Sequence, residues 1–156
     1  LYEMNMVAGV GGFSMVADMA ITGFAKALLT NSLPPEFNLF LAHASDNSPY
    51  FPAPQSFRNS VLQQLNRGGF LWVYVGHGHV QELDYIHHQG QDFPILLDSD
   101  VAGLQPGRHP SLAMLLACYS GATDAPVPSL AEQLVCHPNG PIATIAASRV
   151  SMPYGM

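Results

Sequence analysis

The sequence predicts an α/β fold built on a mostly parallel β-sheet, and three observations carry that prediction. Short apolar runs alternate with stretches of helical periodicity along the chain, the pattern expected of strands connected by helices. The runs are apolar at successive positions rather than at alternate ones, which suits strands covered by helices. Of the 156 residues, 48% are apolar and 10% are charged, enough apolar side chain for one core and far from the composition of a disordered chain.

Taken in order, Met4 to Val10 reads as a buried strand ended by Gly11-Gly12. Ser14 is placed to cap a helix through Met15, Met19, Phe24, Ala27 and Leu28, with Asp18 near its start. Pro34-Pro35 closes that helical region. Phe37 to Ala42 is the next strand, and Ser45 to Pro54 a loop rich in Ser, Asn, Asp and Pro. Phe57 to Asn66 reads as a helix with Val61, Leu62 and Leu65 on one face, stopped by Gly68-Gly69. Phe70 to Val75 is a buried strand running into Gly76-His77-Gly78-His79. From Val80 to Gly107 the signals are mixed, with a short apolar run at Ile95 to Leu97 and a short helix from Asp98 to Leu104. Leu112 to Ala117 is another buried strand and leads into Cys118. Ser129-Leu130-Ala131-Glu132 fits a capping box that opens a helix to Val135. Pro141 to Ala147 is the last strand, and no internal repeat or low-complexity tract interrupts the series.

Charge narrows the function. The formal net charge is −6 with only five Lys and Arg, too few cations to neutralise many phosphates or to hold an anionic membrane surface. No apolar run approaches the roughly 20 residues of a membrane helix. The start at Leu1 and the end at Pro153-Tyr154-Gly155-Met156 read as those of a segment of a longer chain, a single domain truncated at both ends. The two cysteines, Cys118 and Cys136, are too few for a disulfide framework and pair only where the fold brings them together.

In a parallel sheet, function gathers beyond the carboxyl ends of the strands. Two polar clusters fall there, Gly76-His77-Gly78-His79 and Cys118-Tyr119-Ser120-Gly121, so the pattern alone puts a His and a Cys on one rim. That pair is chemically complete for nucleophilic catalysis. A thiol attacks as its thiolate and needs a base. An imidazole takes the proton and later delivers it to a leaving amine. Backbone N–H groups beside glycine can stabilise an oxyanion without a side chain in the way.

A hydrophobic strand ending in His-Gly, followed by one ending in Ala-Cys, resembles the caspase-fold cysteine peptidases. The segments are Val73-Tyr74-Val75-Gly76-His77-Gly78 and Met114-Leu115-Leu116-Ala117-Cys118-Tyr119-Ser120-Gly121, and Cys118 follows His77 by 41 positions. The Tyr-x-Gly-His-Gly form resembles the gingipain branch most, as does a helix carrying Glu132 followed by Gly140-Pro141-Ile142-Ala143. The resemblance implies a caspase-like three-layer α/β sandwich over residues 1–156. It implies a cysteine-type endopeptidase acting on peptides or proteins through a thioester, with His77 as base, Cys118 as nucleophile and no metal or organic cofactor required. It also implies oxyanion donors from the backbone of Gly78 and Cys118.

Other readings of the same residues stay open. His77 and His79, with Asp84, His87 and His88 nearby in sequence, can share a face of an extended strand and so permit a zinc site. Asp46 either caps a turn or lines the pocket for a basic side chain before the scissile bond. Met152 and Tyr154 either form a wall of the substrate pocket or serve ordinary packing. The rival to an enzyme is a catalytically inactive domain of the same fold used for binding or scaffolding.

Overall fold

The apolar runs assemble into one parallel sheet in the computed structural model, which describes residues 2–11, 23, 34–45, 48–105, 107 and 109–151. In chain order the elements are β1 (Tyr2–Ala8), β2 (Phe37–His43), α1 (Pro54–Arg67), β3 (Leu71–Val75), β4 (Tyr85–His88), β5 (Gln91–Pro94), α2 (Asp98–Val101), β6 (Leu112–Leu116), α3 (Leu130–Cys136) and β7 (Ala143–Ala146). The sheet order is β2-β1-β3-β6-β7, and every neighbouring pair is parallel. The chain steps outward from β1 to β2, then returns past β1 to add β3, β6 and β7. The strand order therefore reverses between β1 and β3, and the crevice beyond their carboxyl ends is where such sheets bind ligands.

Side chains alternate across each strand, and both faces of β3 are covered. On one face Val7, Trp72, Tyr74, Ala113 and Leu115 pack with Phe57, Val61 and Leu65 of α1 and Leu130 and Leu134 of α3. On the other, Met6, Val73 and Val75 pack with Leu39, Leu41, Met114 and Leu116. This two-sided burial explains the unbroken apolar run of β3. The helix expected between Ser14 and Leu28 lies, apart from Gly23, outside the described residues. No helix among the described residues is long and apolar enough to cross a membrane.

The helix α1 begins three residues earlier than its apolar pattern suggested. Pro54 takes the first turn, where its fixed φ suits the helix and its missing N–H costs nothing. Gly68 ends it with φ 74°, and a side chain there would run into the His109 carbonyl. Between His79 and Ile95, where the sequence signals are mixed, the chain forms an antiparallel hairpin, β4 with β5. Gln89 (φ 50°) and Gly90 (φ 75°) make its two-residue turn, both left-handed as a type I′ turn requires. The hairpin is anchored by buried Leu83, Ile86, Ile95 and Leu96 and by the bond from Leu83 N–H to Leu96 O (2.9 Å). The expected helix after it is a single turn, α2, tied to α1 by a two-pronged ion pair between Arg58 and Asp100.

The capping box of α3 is present with both of its bonds. Ser129 N–H donates to Glu132 Oε2 at 2.8 Å, and Glu132 N–H donates back to Ser129 Oγ at 3.4 Å. Loss of the cap by Ser129→Ala should destabilise the protein by about 1 kcal/mol in urea unfolding. The Ser129 backbone N–H, and then its hydroxyl, hold the Glu132 carboxyl below the usual glutamate range. A depressed carboxylate contributes stability that is fully present above its unfolded pKa and is lost as pH falls through the folded value. Unfolding curves of the parent and Glu132→Gln should therefore differ at neutral pH and converge on acidification below the ordinary glutamate pKa.

Candidate active site

His77 and Cys118 leave the sheet at the same level. Val75 pairs with Leu116 in the β3–β6 ladder, and the pairing continues one step as Gly76 N–H donates to Leu116 O at 3.2 Å. Each residue of interest stands two positions beyond that aligned pair. The loops then stay in contact. A Cβ on Gly78 would lie 2.7 Å from Ala117 Cβ and 3.3 Å from Cys118 O, so only glycine admits this approach without displacement. Gly121 lies equally close to β7, where an added Cβ would come within 2.8 Å of Ala146 Cβ.

His77 is half-buried, and its Nε2 lies 2.9 Å from the Gly11 carbonyl, across the switch point between β1 and β3. A carbonyl can only accept, so Nε2 carries the hydrogen. In the neutral ring Nδ1 is then the basic nitrogen. The Tyr74 hydroxyl donates to the backbone carbonyl of His77 at 2.9 Å.

Cys118 is a free, partly buried thiol, and Cys136 is a free, exposed one; the fold does not pair them. Ser151 N–H donates to Cys118 Sγ at 3.3 Å, and Ser151 O lies 3.5 Å away to accept the S–H. Sulfur thus has a backbone partner both as thiol and as thiolate. Tyr119, next in the chain, takes a left-handed backbone (φ 55°), a conformation that costs a non-glycine residue on the order of 1 kcal/mol. The turn is pinned by Tyr119 N–H to Arg149 O (3.1 Å), Gly121 N–H to Ala147 O (3.0 Å) and Ser120 Oγ–H to Ala117 O (2.9 Å). The first two amides of α3 join the two loops, Leu130 N–H to Val80 O (2.6 Å) and Ala131 N–H to Ser120 O (2.9 Å).

At the rim, Arg149 makes a two-pronged pair with Asp124 at 2.8 and 2.6 Å. This hydrogen bonding holds the Asp124 carboxyl below its usual range. Both side chains are exposed, so the pair orients the loops more than it stabilises the fold. Among the described residues, neither the Gly78 nor the Cys118 N–H donates to a backbone carbonyl.

Of the remaining expectations, Asp46, Met152 and Tyr154 lie outside the described residues. His79 is exposed, and His87 pairs with Asp92 across the hairpin at 2.6 Å. No group of three or more metal-binding side chains forms among the described residues. Gly11, Ser151 and Tyr74 were absent from the site read in the sequence. Two of them act through backbone atoms, and Tyr74 lies within a strand that reads as core.

Compared with known proteins, the chain matches the model of peptidase family C25 over residues 2–156. No curated protein matches it.

The close approach of Gly78 is testable. Gly78→Ala places a methyl against Ala117 and the Cys118 backbone, and overpacking of this kind costs about 1–3 kcal/mol. Urea unfolding should report that loss, and Gly103→Ala, whose added Cβ meets nothing closer than 3.4 Å, should lose far less.

Proposed function

The chain belongs to peptidase family C25, and from that premise we propose that it is a cysteine-type endopeptidase in which Cys118 attacks the peptide carbonyl and His77 is the base. His77 Nδ1 takes the thiol proton while Nε2–H stays on the Gly11 carbonyl, which also steadies the imidazolium. The thiolate adds to the carbonyl carbon, and the developing oxyanion accepts hydrogen bonds from Gly78 N–H and Cys118 N–H. The imidazolium then protonates the leaving amine as the C–N bond breaks, leaving a thioester on Cys118. Water, deprotonated by His77, hydrolyses the thioester and releases the acid. No metal or organic cofactor takes part, and the substrates are peptides or proteins.

The observation that carries this reading is the alignment of the two loops. His77 and Cys118 emerge from adjacent parallel strands at one level, with Gly78 against the Cys118 backbone. The parallel α/β sheet is consistent with the caspase-like fold of the family. Asp46, Met152 and Tyr154 remain the proposed substrate-binding residues.

Two experiments test the reading. Cys118→Ala should abolish peptide hydrolysis and keep the fold, while Cys136→Ala should leave hydrolysis unchanged. In the Cys136→Ala background, alkylation by iodoacetamide should occur at Cys118 and slow when His77 is replaced by Ala. Hydrolysis that survives Cys118→Ala rules out the nucleophile. Binding of peptide without hydrolysis by the parent points instead to the scaffold role.

Specificity has its own test. A carboxylate at Asp46 that meets a substrate Arg makes a charge-assisted bond of about 1.5–3 kcal/mol. Asp46→Asn should then reduce cleavage after Arg by roughly 10- to 150-fold and leave cleavage after uncharged residues unchanged. Coincident substrate profiles overturn the pocket role of Asp46.

A further inference from the structure

We propose that Tyr74 is a positioning residue that fixes which nitrogen of His77 carries the proton, an inference that rests on the assignment of His77 as base. Tyr74 is fully buried in the core beneath the sheet rim. Its ring packs among apolar side chains, yet its hydroxyl reaches out of that core to donate to His77 O at 2.9 Å. Burial, with the Asp84 carboxylate adding to it, keeps the phenol protonated well above its ordinary range, so the group is a constant donor.

Two glycines make room for that hydroxyl. A Cβ on Gly9 would lie 2.7 Å from Tyr74 Oη, and one on Gly76 would be closer still. Gly76 is the residue before His77, and Gly9 belongs to the loop after β1. That loop is bound to β3 by Gly9 N–H to Val75 O (2.8 Å). Two residues on, it presents the Gly11 carbonyl that takes His77 Nε2 at 2.9 Å. The Tyr74 hydroxyl is thus wedged between the backbone that carries His77 and the loop that carries the acceptor for its ring. Removing the oxygen leaves His77 O without this donor and opens a gap between the two glycines. The loops then lose the contact that keeps the Gly11 carbonyl opposite Nε2. The Nε2–H tautomer then loses an acceptor that favours it, and Nδ1 is the base for a smaller part of the time.

The test combines Tyr74→Phe, which removes one oxygen, with Gly9→Ala, which pushes a methyl into the place of that oxygen. The first readout needs no activity: long-range ¹H–¹⁵N correlation spectra of the His77 ring, assigned with His77→Gln, at a pH where the ring is neutral. The parent should show the Nε2–H tautomer, and each variant a mixture. The second readout is kinetic, with kcat for a peptide substrate falling roughly three- to tenfold and KM unchanged. The double variant should be no worse than Gly9→Ala alone, because the methyl then meets no hydroxyl. An unchanged His77 spectrum in both single variants overturns the role of Tyr74, whether or not the parent cleaves peptides. A parent without thiol-dependent cleavage overturns the peptidase reading, and the spectra still decide the role of Tyr74.

Discussion

The pairing of β3 with β6 governs everything that follows at the rim. It aligns Val75 with Leu116 and so brings His77 and Cys118 out of the sheet together. Burial on both faces protects that register. A slip of one residue would exchange the faces of a strand, moving Trp72 and Tyr74 out of the core they share with α1 and α3. The core thus specifies the height of each loop. The α3 amides that reach Val80 O and Ser120 O then tie the two loops to one helix end.

Above that frame the site is built largely from main chain. The Gly11 carbonyl orients the imidazole, and the Ser151 backbone holds the thiol. The amides of Gly78 and Cys118 donate to no backbone carbonyl among the described residues. Backbone groups of this kind are rigid because the strands and glycines behind them are packed. Their positions are set by steric exclusion, as at Gly78 against Ala117 and Gly121 against Ala146. Only two side chains, an imidazole and a thiol, take part directly in the bond changes of the proposed reaction.

That division explains what the sequence made legible. The buried strands were readable because strands covered on two faces are apolar at every position. The start of α3 was readable because Ser129 and Glu132 form a side-chain motif with fixed spacing. The β4–β5 hairpin was not, since His87, His88, Gln91 and Asp92 show no apolar alternation and Gln89-Gly90 is a weak turn signal. At the site, His77 and Cys118 stood out through their chemistry and their glycine neighbours. Gly11 and Ser151 could not, because every residue offers a carbonyl and nearly every one an N–H. Tyr74 was hidden for a different reason: five of its six atoms beyond the ring attachment behave as core, and only the hydroxyl does otherwise.

The left-handed backbone at Tyr119 bears on the order in which the molecule assembles. That conformation is unfavourable on its own, so the turn after Cys118 depends on partners supplied from elsewhere. Those partners are Arg149 O, Ala147 O and Ala131 N–H, all later in the chain and none available until α3 and β7 have docked. Weakly supported segments are the first to open. The proposed nucleophile therefore acquires its surroundings only once α3 and β7 are in place. On heating, the region around it should melt before the sheet that carries it.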